Sequence, residues 1–385
     1  MSRRDPTTPR RLTADEAAAR LGVKKQTLYA YVSRGLIGRE VAADGRASLF
    51  DAAELDALRG DGRRGGFVVR SSITRFSTEG LWFRGHAAES LVHERYEDVI
   101  DLLWDVEGAD EPWPKPTALR QRARGGRPID TLRRAVLDEG ASDVLRDELE
   151  DRVVRLAGRR IIAAMVRSVS TTAGPIAEGL WRGLAGEQGR VSQARLRRRR
   201  LALNAVMVLL IDHGMATSTL AARVAASTRA DPYSVVLAAL SAFAGMLHGG
   251  ASAHVHRMFR DAEDGRDAAV AIRLARRRAG LLPGFGHSVY TDVDPRFAIL
   301  FPLLETAFAG SRRLRVVREV RGLIDGRTRH APNVDLALGA LTYLSDMADD
   351  GGETIFAIAR TAGWIAHALE EYAESPLRYR VRAVT

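Results

Sequence analysis

The chain has 385 residues, 58 of them basic and 48 acidic, for a formal net charge of +10. With 46% hydrophobic and 28% charged residues, it has the balance of a folded protein with two or three cores rather than of a disordered one. The absence of cysteine excludes a disulfide framework, thiolate metal sites and a cysteine nucleophile.

The opening segment, MSRRDPTTPRR, carries charge but no apolar stretch, so it does not read as a secretory leader, and a cytoplasmic protein is expected. Thr13 and Glu16 have the spacing of a helix-capping pair, and the helix they start should stop at Gly22. Val23 to Val32 reads as a second helix ended by Gly35, and two short helices separated by one glycine describe a helix-turn-helix. Asp44-Gly45 lies between short β-prone runs, a hairpin signal, and DAAELDALR adds a further short helix. Helix, turn, helix, hairpin, helix resembles the winged helix-turn-helix of the MerR and excisionase group. That resemblance places Lys24, Lys25, Gln26, Thr27 and Tyr29 at the start of the recognition helix, where side chains reach bases and phosphates. Residues 1–65 hold 13 basic and 9 acidic residues, a modest excess for phosphate contact, so a small interaction or dimerisation module remains open. This head is assigned to 1–59. GDGRRGG, at 60–66, has nothing to bury and reads as a linker.

Beyond it the pattern is mainly α. Alternation survives only in short pieces such as FVVRSSITRF and EGLWFRG. From Ser142 to Val169, Leu145, Leu149, Val153, Leu156, Ile161 and Met165 recur at helical spacing. RLRRRR at 195–200 reads as a solvated helix start or loop. The apolar stretches near 201–211 and 235–247 are shorter than the roughly 20 residues of a membrane span. Just three of the 58 basic residues are lysines (Lys24, Lys25, Lys115), so the charge excess reflects arginine usage as much as any polyanion partner.

Three of the nine histidines have distinctive neighbours. His248 precedes Gly249-Gly250, His287 ends Pro283-Gly284-Phe285-Gly286, and His213 follows Asp212 after an apolar helix. Glycines beside a histidine let a ligand approach backbone and ring together. His367, lacking such neighbours, reads as packing or surface. His254 and His256 lack an acidic partner at ligand spacing and there is no HExxH, so no metal is expected. Taken alone, His248 and His287 fit satisfied core histidines as well as catalytic ones, and Asp335 in PNVD fits a helix cap.

The segments together resemble citrate synthase. In order these are FRG (83–85), DHGMATSTLAARVAAST (212–228), LHGGASAHV (247–255), PGFGHSVYTDVDPR (283–296), PNVD (332–335), ARTAGWIAHALE (359–370) and LRYR (377–380). The resemblance covers roughly 67–385. It implies an all-α enzyme with a large domain (67–248 and 347–385) and a small domain (249–346) that closes over the substrates. It also implies condensation of acetyl-CoA or propionyl-CoA with oxaloacetate, as in the tricarboxylic acid cycle or the 2-methylcitrate reaction, followed by thioester hydrolysis. Coenzyme A enters as part of the substrate, and no further cofactor is implied.

By position, Asp335 resembles the family's base, His248 the donor to the enol oxygen, and His287 the group that polarises the keto carbonyl. His213, Arg296, Arg360 and Arg378 resemble its oxaloacetate ligands. The last arginine crosses from a neighbouring subunit in the family, so a homodimer is implied. Coenzyme A would lie along Pro283, Gly284, Phe285 and Gly286, with Asn333 near the pantetheine arm. The chain departs from the family at Gly214 and Ala216, at Met246, at the neutral Ser288 and Thr291, and at Tyr379. These changes bear on CoA affinity and substrate choice more than on reaction type. Two other readings stand beside the enzyme. One is a transcriptional regulator whose synthase-like body senses metabolites, and the other is a partner subunit completing a paralogue's site through Arg378.

Overall fold

Thr13 opens the first helix of the computed structural model through the expected reciprocal pair. Its Oγ1 accepts the Glu16 N–H, and the Glu16 carboxylate accepts the Thr13 N–H at 2.8 Å. Helix α1 (Ala14–Leu21) ends at Gly22, whose φ of 70° closes the turn. Helix α2 (Lys25–Ser33) follows. Strand β1 (Arg11–Thr13) pairs antiparallel with β3 (Ser48–Asp51), which pairs on its other edge with β2 (Glu40–Val41). Leu12, Ala17, Ala18, Leu28, Ile37, Phe50 and Leu55 form the core of this small unit, residues 1–70. The structure describes residues 11–33, 37–42, 47–52, 54–55, 69–77, 80–106, 113–114, 126–170, 174–185, 191–245, 248–265, 267–287, 289–290, 292–325 and 328–379. Gly35, the Asp44-Gly45 turn, most of DAAELDALR and the 60–66 linker lie outside them.

The second unit, 71–385, is mainly helical. It begins with a small antiparallel sheet of β4 (Thr74–Ser77), β5 (Gly80–Phe83) and β6 (His86–Ala87), where the sequence alternates. Helices α3 (Ala88–Leu91), α4 (Tyr96–Leu103), α5 (Pro128–Ala141), α6 (Asp151–Val169), α7 (Ile176–Leu184), α8 (Gln193–Leu210), α9 (Thr217–Ser227) and α10 (Pro232–Phe243) follow. Then come α11 (Ala251–Glu263), α12 (Ala268–Ala279), α13 (Pro295–Ala307), α14 (Arg312–Ile324), α15 (Val334–Leu344) and α16 (Gly351–Tyr372).

Helix α16 is the axis of this unit. Nearly every residue from Gly351 to Leu369 is buried, and the helix packs on α4, α5, α6, α8, α9 and α10. Gly363 permits its closest approach, because a Cβ there would lie 2.5 Å from the Ile211 carbonyl oxygen and 2.6 Å from the Asp212 carboxylate. Helices α11, α12, α14 and α15 pack on one another, and α13 joins α15 to α8.

One expected helix starts late. The periodicity from Ser142 predicts a single helix to Val169, yet 142–150 forms turns and α6 begins at Asp151. Asp143 is the reason. Its carboxylate accepts the Leu145 N–H at 3.1 Å and the Tyr233 hydroxyl at 2.6 Å, and pairs with Arg160 at 3.0 Å. A side chain that binds the backbone two residues on competes with the helix. The basic run 195–200 does begin a helix, capped by Ser192, with Arg199 buried against the Phe308 ring. Among the described residues, no helix is long and apolar enough to cross a membrane.

Candidate active site

Three segments bring the site together. Asn333 caps α15 by accepting the Asp335 N–H at 3.0 Å, while its Nδ2 donates to the Gly286 carbonyl at 2.6 Å and its N–H to the Gly284 carbonyl at 2.9 Å. One residue thus ties the start of α15 to the Pro283–Gly286 turn. The clasp is completed by the Phe285–Pro332 bridge and by the Gly286 N–H on the Ala331 carbonyl. Gly284, at φ 79°, is required here: a Cβ would meet Leu336 at 2.9 Å and Val255 at 3.0 Å. The side chain of Asn333 is therefore committed to the frame.

Asp294, which sequence reasoning passed over, ties in the third segment. It caps α13 through the Arg296 N–H and accepts the Arg296 guanidinium through Nε at 3.0 Å and a terminal nitrogen at 2.8 Å. It also accepts the Val334 N–H at 2.9 Å. Burial pushes its carboxyl up, and Arg296 outweighs that and holds it below the ordinary range. The signal in the sequence was the Asp-Pro pair of a helix start. Its hold on Val334, forty residues on, has no local signature.

Asp335 faces the opposite circumstance. Burial and the neighbouring Asp294 push its carboxyl up to about 6 against the pull of Arg296, and its Oδ1 is buried without a hydrogen-bond partner. A carboxylate poised this way is a stronger base than one in water.

The three predicted histidines are all held neutral. Burial, reinforced by Arg360, lowers His248 to about 4. Burial with Arg296 and Arg360 pushes His213 well below its usual value, and burial with Arg296 lowers His287. Their hydrogen bonds set the protons. His287 Nδ1 accepts the Val289 and Tyr290 N–H groups at 3.0 and 3.3 Å, so the proton of the neutral ring sits on Nε2. That Nε2 lies 3.3 Å from a terminal nitrogen of Arg296, a group that can only donate, so the guanidinium and the imidazole meet at one edge of the site. His248 Nε2 lies 2.9 Å from the Ser218 hydroxyl, which also receives the Trp364 indole N–H. With Ser218 donating, Nδ1–H of His248 is left for a ligand. Neither Ser218 nor Trp364 was a sequence candidate.

His213 and His287 have ring centroids 5.1 Å apart, with Phe76 and Tyr290 packed around them. Arg360, on α16, acts electrostatically on His213, His248 and Tyr290. Its Nε donates to the Leu210 carbonyl at 2.7 Å, one terminal nitrogen is buried without a partner, and among the described residues no carboxylate pairs with it directly. Burial and Arg296 lower its guanidinium to about 10, against the support of Asp212. A buried cation left unsatisfied is costly, and an anionic ligand is its natural complement.

The structure thus brings together His213, His248, His287, Arg296, Asp335 and Arg360, which share the fields of the two arginines. It does not bring Arg378 to them within one chain. Arg378 grips Glu371 through two bonds of 2.7 and 2.6 Å. His367 is neither surface nor simple packing: it is fully buried, accepts Arg223 Nε on Nδ1 at 3.0 Å, and lies 3.3 Å from Asp212. Among the described residues, no group of three or more histidine, aspartate and glutamate side chains is placed to hold a metal.

Comparison with known proteins gives this geometry a family. The family described as "Citrate synthase, C-terminal domain" matches residues 62–382. The chain belongs to the citrate synthase family. A second family, "Helix-turn-helix domain", matches residues 11–60. The 2-methylcitrate synthase 2 of Corynebacterium glutamicum is 28% identical over 366 residues, covering 82% of this chain and 93% of that protein. The 2-methylcitrate synthase of Mycobacterium tuberculosis is 30% identical over 328 residues, covering 76% and 81%. Among solved structures, citrate synthase from Thermoplasma acidophilum, in complex with carboxymethyl-CoA and oxaloacetate, superposes with a TM-score of 0.68. The match spans 85% of this chain and 95% of that one at 22% identity, which speaks to fold alone. Citrate synthase from Pyrobaculum aerophilum gives 0.67 at 24% identity, over 84% and 91%.

In unit 1, the candidate nucleic-acid residues divide. Lys25 pairs with Asp15 at 2.7 Å, and Tyr29 leans its ring on Phe50 with its hydroxyl 3.4 Å from Ser48. Tyr29 links α2 to β3, while Lys24 and Gln26 are exposed and Thr27 is half-buried.

Proposed function

We propose that the second unit condenses a short acyl-CoA with oxaloacetate and hydrolyses the resulting thioester, as a citrate or 2-methylcitrate synthase does. The observation that carries this reading is the Asp335 carboxyl, raised to about 6 with one oxygen buried and unpartnered, beside neutral imidazoles and a buried arginine with an unpartnered terminal nitrogen. Asp335 takes a proton from the thioester α-carbon. The electron pair moves toward the carbonyl oxygen, which receives a hydrogen bond from His248, so that no free enolate forms in a dry site. The α-carbon then bonds to the keto carbon, whose oxygen takes its proton from His287 Nε2. Water finally attacks the thioester and releases the coenzyme A thiol.

His213, Arg296 and Arg360 hold the diacid, Arg360 foremost, because Asp294 already engages Arg296 on one edge. Arg378 completes the diacid site of a second protomer in a homodimer, and coenzyme A lies along Pro283–Gly286. On this reading 249–346 is the small domain, closing on 67–248 and 347–385 to exclude water. Acetyl and propionyl donors differ by one methylene, worth about 1–3 kcal/mol of pocket contact.

Oxaloacetate-dependent thiol release across a series of acyl-CoAs tests the reading. Release with at least one short thioester supports it, and no release with any of them contradicts it. The helix-turn-helix match favours a second role for unit 1 in DNA contact, through Lys24, Gln26 and Thr27 in a cytoplasmic enzyme. Duplex DNA retention that weakens steeply with salt supports that role, and retention indifferent to salt speaks against it.

A further inference from the structure

Tyr290 touches both predicted oxaloacetate histidines, by different atoms. Its backbone N–H donates to His287 Nδ1 at 3.3 Å, and its hydroxyl lies 3.1 Å from His213 Nε2. The ring lies 4.9 Å from that of His287, tilted by 33°, and the Arg296 guanidinium sits 5.8 Å from its centroid. We infer that Tyr290 is a positioning residue which fixes the protons of His213 and His287, and thereby selects the carboxylate-bearing keto acid that these rings receive.

The phenol keeps its proton. Burial pushes it up to about 12, even though Arg296 and Arg360 both favour the phenolate. His213 is neutral, so its Nε2 either accepts from the phenol or donates to it. Only the first uses the O–H in this contact, since no other acceptor for it is present among the described residues. With Nε2 occupied, the imidazole proton of His213 sits on Nδ1, which has no partner among the described residues and is left for a ligand oxygen. At His287 the backbone N–H groups of Val289 and of Tyr290 itself set the complementary arrangement, with the proton on Nε2. Tyr290 therefore shares in presenting two neutral donors, in the fields of two guanidinium groups, to one incoming diacid. A ring with both nitrogens free would sample both tautomers and offer a lone pair to the carboxylate part of the time.

This rests on the reading of the cluster as a keto-acid site, and the test separates the two. In Tyr290→Phe the ring and the backbone bond to His287 remain, and only the hydroxyl is lost. KM for oxaloacetate should rise about tenfold or more, with kcat and the KM for the acyl-CoA within about twofold, as expected for one lost hydrogen bond at a charged-ligand site. The discriminating signal is spectroscopic. In wild-type protein labelled with 15N-histidine, and assigned by difference against His213→Asn, the His213 ring should show the Nδ1–H tautomer, and in Tyr290→Phe a mixture. An Nε2–H tautomer in the wild type, or an unchanged oxaloacetate KM in the variant, overturns the assignment of Tyr290. Failure of the wild type to turn over oxaloacetate with any short acyl-CoA would instead bring down the parent reading.

Discussion

Arg223 and Arg360 are both almost completely buried and lie in the same helical unit, yet their surroundings are opposite. Arg223 donates to His367, to Glu371 and to Glu370, and Glu371 is in turn gripped by Arg378 and Tyr379. Arg360 has a backbone carbonyl on Nε and an orphaned terminal nitrogen. Desolvating a guanidinium costs several kcal/mol unless paired charges and hydrogen bonds offset it. Around Arg223 the chain supplies that offset itself, so the network is frame. Around Arg360 a backbone carbonyl and the field of Asp212 offset part of that cost, and a terminal nitrogen is left for an anion. Burial and residue type are shared, and the accounting of partners is what separates scaffold from site.

Exchanging each arginine for methionine sharpens this contrast most. Arg360→Met should weaken oxaloacetate binding about a hundredfold or more by calorimetry, while the ligand-free protein loses no stability or gains some. Arg223→Met should instead cost about 3–5 kcal/mol in denaturant unfolding, because two glutamates lose their shared cation. Equal stability losses in the two variants would erase the distinction.

The same contrast governs pH. Asp212, beside His367 and Thr74, is pushed up by burial, but His367, Arg360 and Thr74 bring it down to about 2, so it stays ionised across the working range. Asp335 is raised to about 6, from an unfolded value near 3.9. As a base it must be ionised, so kcat/KM should fall about tenfold per pH unit below 6. Its effect on stability has the opposite sign. Its contribution is complete below about pH 4 and is lost as pH rises through 6, because the folded state favours the protonated form. The acid limb of the rate profile and the pH dependence of unfolding of Asp335→Asn against wild type check the two signs separately. The smallest expected effect is in unit 1, where Thr13→Ala removes a capping bond and should cost about 1 kcal/mol in thermal unfolding without altering thiol release.

What was legible in the sequence follows the range of the interactions. The Thr13–Glu16 cap and the Gly22 stop are contacts within a few residues and are present as expected. His248, His287, Asp335 and the arginines stood out through ordered motifs, and all but Arg378 converge. The hold of Asp294 on Val334, the Ser218 hydroxyl between His248 and Trp364, and the His367–Arg223 pair join residues 30 to 146 positions apart. No local periodicity encodes these. Leu145 and Leu149 misled because apolar spacing carries no record of a carboxylate that captures the backbone at Asp143.

The central claim is that burial raises the Asp335 carboxyl to about 6 and so makes it a base strong enough to move a proton. Thiol release from acetyl-CoA or propionyl-CoA with oxaloacetate at pH 8, in wild type and in Asp335→Asn, tests it most directly. Release should fall at least about a hundredfold in the variant, with folding intact. Release within a fewfold of wild type in Asp335→Asn would contradict it.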